Sequence, residues 1–241
     1  MDFGSFLSHS DESRARRTVE KLRRHDTATW VMTGGLAIET HMLCLGIAAD
    51  RRPLNDIDFL VASFDEIPRT LSSDLLFRHV HPHDPPAKTL LQCVDAETAV
   101  RVDVFRAYGN TTARAVLVEL YGLVVKVASI EDLTARWARL CMDLAFGEAT
   151  PAKHARDLLR LLPLVDANAM EPVWLEHRKA QYPESFAETA ALLRDLIGTR
   201  KELLIAPAYG RDVRARCARC RDSESFPLAE AERVLALLGY C

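Results

Sequence analysis

Three aspartates sit where aspartate is costly. Asp56 and Asp58 belong to Arg52-Pro53-Leu54-Asn55-Asp56-Ile57-Asp58-Phe59-Leu60, and Asp103 to Arg101-Val102-Asp103-Val104-Phe105. Both stretches read as extended, apolar segments. Alternate side chains on a strand share a face, so Asp56 and Asp58 point one way while Ile57 and Phe59 face the core. Carboxylates so close raise each other's pKa unless a cation neutralises them. Hard oxygen ligands suit Mg²⁺ or Mn²⁺. With Asp103 on a neighbouring strand, the three can hold two such ions. One would clamp a triphosphate and the other would activate an attacking hydroxyl.

A glycine pair supplies the matching half. Thr33-Gly34-Gly35-Leu36-Ala37 ends an apolar run. A helix that begins straight after the glycines aims backbone N–H groups and a positive dipole end at a phosphate. Without a Cβ the phosphate can come close. Neither a Walker sequence nor GxGxxG is present, so P-loop and Rossmann readings are excluded. Without a ligand, the same residues read otherwise: Asp56 capping a turn, Asp58 paired with an arginine and Asp103 solvated on an edge strand. Lys126, at a strand end, either reaches a phosphate or keeps its head in water.

Other motifs carry less. Alternating His79, His81 and His83 resemble a metal face but run into Asp84-Pro85-Pro86, which reads as a loop. Cys217-Ala218-Arg219-Cys220 is a single CxxC with no second pair, and reads as helical cysteines rather than a zinc site. Arg14, Arg16, Arg17, Lys21, Arg23 and Arg24 form a basic face, and Arg211, Arg214, Arg216, Arg219 and Arg221 a second cluster. Both read first as solvated helix faces and second as grips for RNA or an anionic acceptor.

The elements that must position the aspartates follow from periodicity. A helix is expected from Ser10 to about Arg24, capped by the small polar residue and its acids. Strands are expected at 28–32, 57–62, 75–81, 90–94, 99–104 and 123–127, with a helix over 36–45 after the glycines. The 90–94 and 99–104 pair flanks Asp95-Ala96-Glu97-Thr98, a short hairpin loop. From Ser129-Ile130-Glu131-Asp132, a capping pattern, the chain reads as helical, punctuated by Pro151, Pro163, Pro172, Pro183, Pro207 and Pro227. The expected boundary lies near residue 128, giving regions 1–128 and 129–241.

In this order (strand, Gly-Gly, helix, Arg-Pro-x-x-Asp-Ile-Asp, then x-Val-Asp-Val) the pieces resemble the nucleotidyltransferase superfamily with the DNA polymerase β-like fold. They look most like the minimal nucleotidyltransferases grouped with the abortive-infection toxin AbiEii and with aminoglycoside nucleotidyltransferases. The resemblance covers about residues 28 to 160. It implies an α+β fold, a mixed β-sheet with flanking helices, followed by a helical region that helps bind substrate. It also implies metal-dependent transfer of a nucleoside monophosphate from an NTP to a hydroxyl on a small molecule, RNA or protein, with release of pyrophosphate. Asp56, Asp58 and Asp103 would hold Mg²⁺ or Mn²⁺ and do the chemistry. Thr33, Gly34, Gly35, Arg52 and Lys126 would seat the NTP. Two positions depart from the pattern: Leu54 where threonine is usual, and Trp137 where the next helical turn carries lysine. They motivate an alternative, a catalytically inactive binding or toxin–antitoxin regulatory protein with a cognate protein partner.

Composition sets the outer limits. At 241 residues and 49% hydrophobic content the chain can bury a real core, and a net charge of −3 argues against wholesale coating of nucleic acid. No apolar run reaches the ~18 residues of a membrane span. The N-terminus lacks the basic and apolar regions of a secretory signal, and the cysteines read as reduced, so a cytoplasmic protein is expected.

Overall fold

The computed structural model of the chain describes residues 2–81 and 90–206. These gather into two units. One comprises the chain up to Ala107 together with Ala115–Val127, and the other Tyr108–Arg114 together with the residues from Ala128 onward.

The first unit is built on strand alternation. Its strands are β1 (Val31–Thr33), β2 (Asp56–Val61), β3 (Leu76–His81), β4 (Leu90–Asp95), β5 (Val100–Arg106), β6 (Val116–Leu120) and β7 (Leu123–Val127). Among the described residues they form one sheet in the order β3-β4-β5-β2-β1-β7-β6. The sheet is mixed: β2 runs parallel to β5 and β1 to β7, while the remaining neighbours are antiparallel. Val61, Leu91, Cys93, Val102 and Val104 turn to one face and pack with Leu22, Phe64, Ile67 and Leu71. The residues between them are thereby sent to the opposite face, where the acidic side chains lie.

Two helices brace this sheet. The first, α1 (His9–Leu22), is capped by Ser8, whose hydroxyl accepts from the Asp11 amide, two residues ahead of the expected start. Its basic face is mostly engaged within the chain. Lys21 is buried with Nζ 2.7 Å from Asp95 Oδ1, and Thr18 donates to the same carboxylate at 2.9 Å. Arg17 pairs with Glu97. Through Asp95 this helix grips the turn between β4 and β5, and so steadies the strand that carries Asp103. The second helix, α2 (Gly34–Cys44), follows β1 without a connecting residue.

The β6–β7 hairpin was legible only in its second strand. Its two-residue turn uses Tyr121 at φ 53° and Gly122 at φ 72°, the left-handed pair that such hairpins favour. Tyr121 tolerates this conformation because its hydroxyl accepts from the Phe3 amide at 2.8 Å and donates to Glu12.

The second unit is helical, with α3 (Ile130–Cys141), α4 (Ala152–Leu161), α5 (Ala167–His177) and α6 (Phe186–Thr199). The capping pattern at Ser129 is realised, its hydroxyl accepting from the Asp132 amide. Pro172 punctuates nothing: it lies inside α5, which Asp166 caps. Trp174 is fully buried, stacked on Tyr182 and edge-on to Phe186, with its indole N–H donated to the Pro183 carbonyl. Asp132 ties the segment Tyr108–Arg114 to this unit. It accepts from Thr111, Ser129, His177 and twice from Arg114, while Arg114 also reaches Glu176 at 2.7 Å.

Cys93 and Cys141 are buried, and burial pushes the Cys141 thiol up to about 12, so both pack as apolar groups. Cys44 is exposed. No described helix is long and apolar enough to cross a membrane. His83, the CxxC pair, the arginine cluster at 211–221, Pro207 and Pro227 lie outside the described residues.

Candidate metal and triphosphate site

One row of polar side chains crosses four strands of an otherwise apolar sheet. The register sets Thr33 opposite Asp58, Asp58 beside Asp103, and Asp103 opposite Gln92. Asp56 lies two residues from Asp58 on the same face, so three carboxylates converge. One ligand oxygen from each of Asp56, Asp58 and Asp103 falls within 4.8 Å of the others. A sheet creates this cluster cheaply, because one register aligns every second residue of β2 and β5.

The row is short of partners. Among the described residues of this unit, the buried side-chain polar atoms without a hydrogen bond are Thr33 Oγ1, both amide atoms of Gln92, Arg101 Nε and Asp103 Oδ1. Each belongs to the row or touches it. Buried polar atoms are ordinarily satisfied, and an unsatisfied one costs about 1–3 kcal/mol. Such a concentration at one spot fits a site made to receive a polar or charged ligand.

The electrostatics agree. Asp103 is only 3% exposed. Burial raises its pKa, Arg101 draws it back and Asp56 pushes it up again, leaving it at about 6. Burial works against the Arg101 guanidinium, yet Asp103, Asp56 and Asp58 together raise its pKa. Arg101 pairs with Asp56 and sits with Nε 3.0 Å from Asp103 Oδ1, too misaligned there for a hydrogen bond. The ligand-free reading therefore has a real counterpart in the contacts of Arg101 with Asp56 and Asp103. An acid-rich, oxygen-only donor set of this kind suits a hard divalent cation, and the bare Asp103 oxygen fits one.

The glycines border the acidic row and Arg52. Gly34 has φ 75°, and a Cβ there would lie 2.0 Å from Asp58 Oδ2. A Cβ on Gly35 would lie 2.9 Å from a terminal nitrogen of Arg52. The first turn of α2 is thus bare backbone beside one of the carboxylates and one arginine. Arg52 is held from behind by Glu39, fully buried on α2, which takes its Nε at 2.6 Å and the Asp50 amide at 2.9 Å.

The expected residues divide accordingly. Thr33, Gly34, Asp56, Asp58 and Asp103 are brought together, and Gly35 meets Arg52. Lys126 is not a strand neighbour of the aspartates. It stands opposite Val31 on β7 and lines a cavity of about 330 Å³ with Leu22, His25, Trp30 and Phe59. Gln92, Arg101 and Glu39 were missed. The lone glutamine in Leu90-Leu91-Gln92-Cys93-Val94 was the one local signal for any of them. In the helical unit Trp137 is buried and edge-on to His154, and Asp157 on α4 is buried. Leu54 is buried as well.

No family model matches the sequence, and no curated protein matches it. Solved structures offer distant likenesses. JHP933 from Helicobacter pylori is 15% identical at a TM-score of 0.40, over 82% of this chain and 94% of that one. The antibiotic-resistance factor ANT(2'')-Ia is 14% identical at 0.41, over 80% and 90%. An antigenic nucleotidyltransferase-like protein from Paracoccidioides brasiliensis is 13% identical at 0.41, over 80% and 90%. These are likenesses of chain path at low identity.

Proposed function

We propose that the strand-rich unit is the centre of a metal-dependent nucleotidyltransferase, within the minimal, AbiEii-like group its motifs resemble. An acceptor hydroxyl oxygen would bond to the α-phosphorus of an NTP, the bridge to the β-phosphate would break, and pyrophosphate would leave with the electron pair. The observation that carries this reading is the row Thr33–Asp58–Asp103–Gln92, whose unpartnered buried atoms surround three converging carboxylates.

Asp56, Asp58 and Asp103 would hold Mg²⁺ or Mn²⁺. When bound, the metal supplies positive charge for the triphosphate and lowers the pKa of a hydroxyl at neutral pH. Asp103, beside Asp58 in the parallel register, would also orient the hydroxyl or take its proton. Gly34 and Gly35 leave the first amides of α2 open to phosphate oxygens, with the helix dipole behind them. Arg52, oriented by Glu39, lies alongside. The acceptor would be a hydroxyl on RNA, protein or a small molecule. Free buried thiols at Cys93 and Cys141 suit a reducing, cytoplasmic setting.

The test is incubation with Mg²⁺ or Mn²⁺ and labelled NTPs, followed by assay of pyrophosphate and of label on RNA, protein and small hydroxyl compounds. Asp58→Asn and Asp103→Asn should abolish transfer and leave the circular dichroism unchanged. A second reading, a binding or toxin–antitoxin regulatory protein without turnover, is favoured by Trp137, a buried indole where the resemblance places a lysine. Calorimetry separates them: only the enzyme should bind an NTP in a metal-dependent way.

A further inference from the structure

Arg101 stands where no motif called for a cation. It precedes Asp103 by two residues on β5, so the two side chains share a face. The parallel register with β2 sets it beside Asp56. Its side chain is 20% exposed, paired with Asp56 and 3.0 Å from Asp103 Oδ1. A divalent ion bridging Asp56 and Asp103 would need that same space, since the ligand oxygens of the cluster lie within 4.8 Å of one another. The guanidinium fills it imperfectly. Its Nε and the Asp103 Oδ1 both stay without an aligned hydrogen bond. A planar fork needs near-linear N–H···O geometry at each arm; a metal ion needs only bare oxygens at short range.

We propose that Arg101 is a resident competitor for the metal. It neutralises Asp56 and Asp103 while the site is empty of metal, and a divalent cation binds by displacing it. The inference rests on the reading of the cluster as a metal site. A guanidinium and a divalent ion cannot share the Asp56–Asp103 edge, because two cations a few ångströms apart repel strongly in a partly buried site. Removing Arg101 takes the guanidinium from Asp56 and Asp103, which destabilises the metal-free fold and sharpens the demand for a metal. The metal affinity of the native chain is therefore lower than its three carboxylates alone would give.

Calorimetric titration of the full chain with Mn²⁺ tests this, using the native protein, Arg101→Gln, Arg101→Lys and Asp103→Asn. Arg101→Gln should bind Mn²⁺ at least tenfold more tightly, about 1.4 kcal/mol. Arg101→Lys should fall between it and the native protein, and Asp103→Asn should bind more weakly. Mn²⁺ should also raise the melting temperature of Arg101→Gln by more than that of the native protein. If the native protein binds Mn²⁺ in an Asp103-dependent way and Arg101→Gln binds no tighter, the competition idea fails and the metal site stands. If neither binds Mn²⁺, both fall. Should Arg101→Gln not fold, the native protein still decides. The Arg101 Nε–H resonance, identified by its loss in Arg101→Lys, should shift as Mg²⁺ is added, and an unmoved resonance at saturation overturns the proposal.

Discussion

Replacing Gly34 with alanine separates backbone geometry from local crowding, because its neighbour Gly35 serves as the control. At φ 75° an alanine at 34 adopts a left-handed conformation that costs an L-residue about 1–2 kcal/mol. Its Cβ would also lie 2.0 Å from Asp58 Oδ2, so the carboxylate must leave its place, at roughly 0.5–1.5 kcal/mol for an off-rotamer side chain. The sum is about 1.5–3.5 kcal/mol, which lowers the melting temperature by roughly 3–14 °C for a chain of this size. Gly35→Ala meets only a terminal nitrogen of Arg52, the far end of a flexible side chain, at 2.9 Å. An alanine inside a helix is otherwise favoured, so Gly35→Ala should stay within about 1 kcal/mol of the native protein. Thermal melts followed by circular dichroism measure the difference, and Mn²⁺ titration reports whether Asp58 has moved. Expected are a destabilised Gly34→Ala with weakened Mn²⁺ binding and a near-native Gly35→Ala with weakened NTP binding. Equal melting temperatures for the three proteins would refute the reasoning, as would Gly35→Ala being the less stable of the two variants.

Three further perturbations test other contacts. Gln92→Leu removes two buried amide atoms that lack partners; the urea midpoint should show a gain of about 1 kcal/mol, while nucleotide transfer falls. Asp95→Ala takes from Lys21 its buried partner, leaving it the exposed Glu97, and removes an acceptor from Thr18 and from the amides of Glu97 and Thr98; it should cost about 3 kcal/mol by urea denaturation, more than Lys21→Met. Acid should weaken the helical unit in a defined window. Burial alone would raise the Asp132 pKa, but its bonds from Arg114, His177, Thr111 and Ser129 hold it well below the usual carboxylate range; the Arg114 bond draws Glu176 down to about 2. A depressed folded-state pKa gives stability that is present above the ordinary carboxylate value and lost as pH falls through the folded one. The urea midpoint should therefore drop from about pH 4.5 toward pH 2 in the native protein, and less steeply in Asp132→Asn, which is weaker throughout.

What the residues alone made legible was set by the range over which each signal acts. Asp56, Asp58 and Asp103 declared themselves because strand alternation is local and aspartate in an apolar run is conspicuous. Arg101 belonged to the same quoted segment, yet its task depends on β2 and β5 lying parallel in one particular register, which no window of sequence contains. Gln92 gains meaning only opposite Asp103, for the same reason. The strand Val116–Leu120 escaped notice because its turn is Tyr121-Gly122 rather than Asn-Gly, and the left-handed tyrosine is stabilised by Phe3, 118 residues away. Pro172 reads as a helix breaker by local rules, but α5 carries it within a turn that Met170, Val173 and Trp174 bury. Lys21 reads as a surface charge until Asp95 is folded against it.

The placement of Tyr108–Arg114 has an evolutionary consequence. Within the described residues the chain passes between its two units after residues 107, 114 and 127, so no single cut separates them. A recombination event near residue 128 that imported a foreign helical half would part Asp132 from Arg114 and Thr111, which supply three of its hydrogen bonds. A buried carboxylate at the Asp132 position would be left without its guanidinium partner. A single breakpoint is therefore costly for this chain, and its helical unit diversifies most cheaply by substitution in place or by exchanges that carry residues 108–114 along.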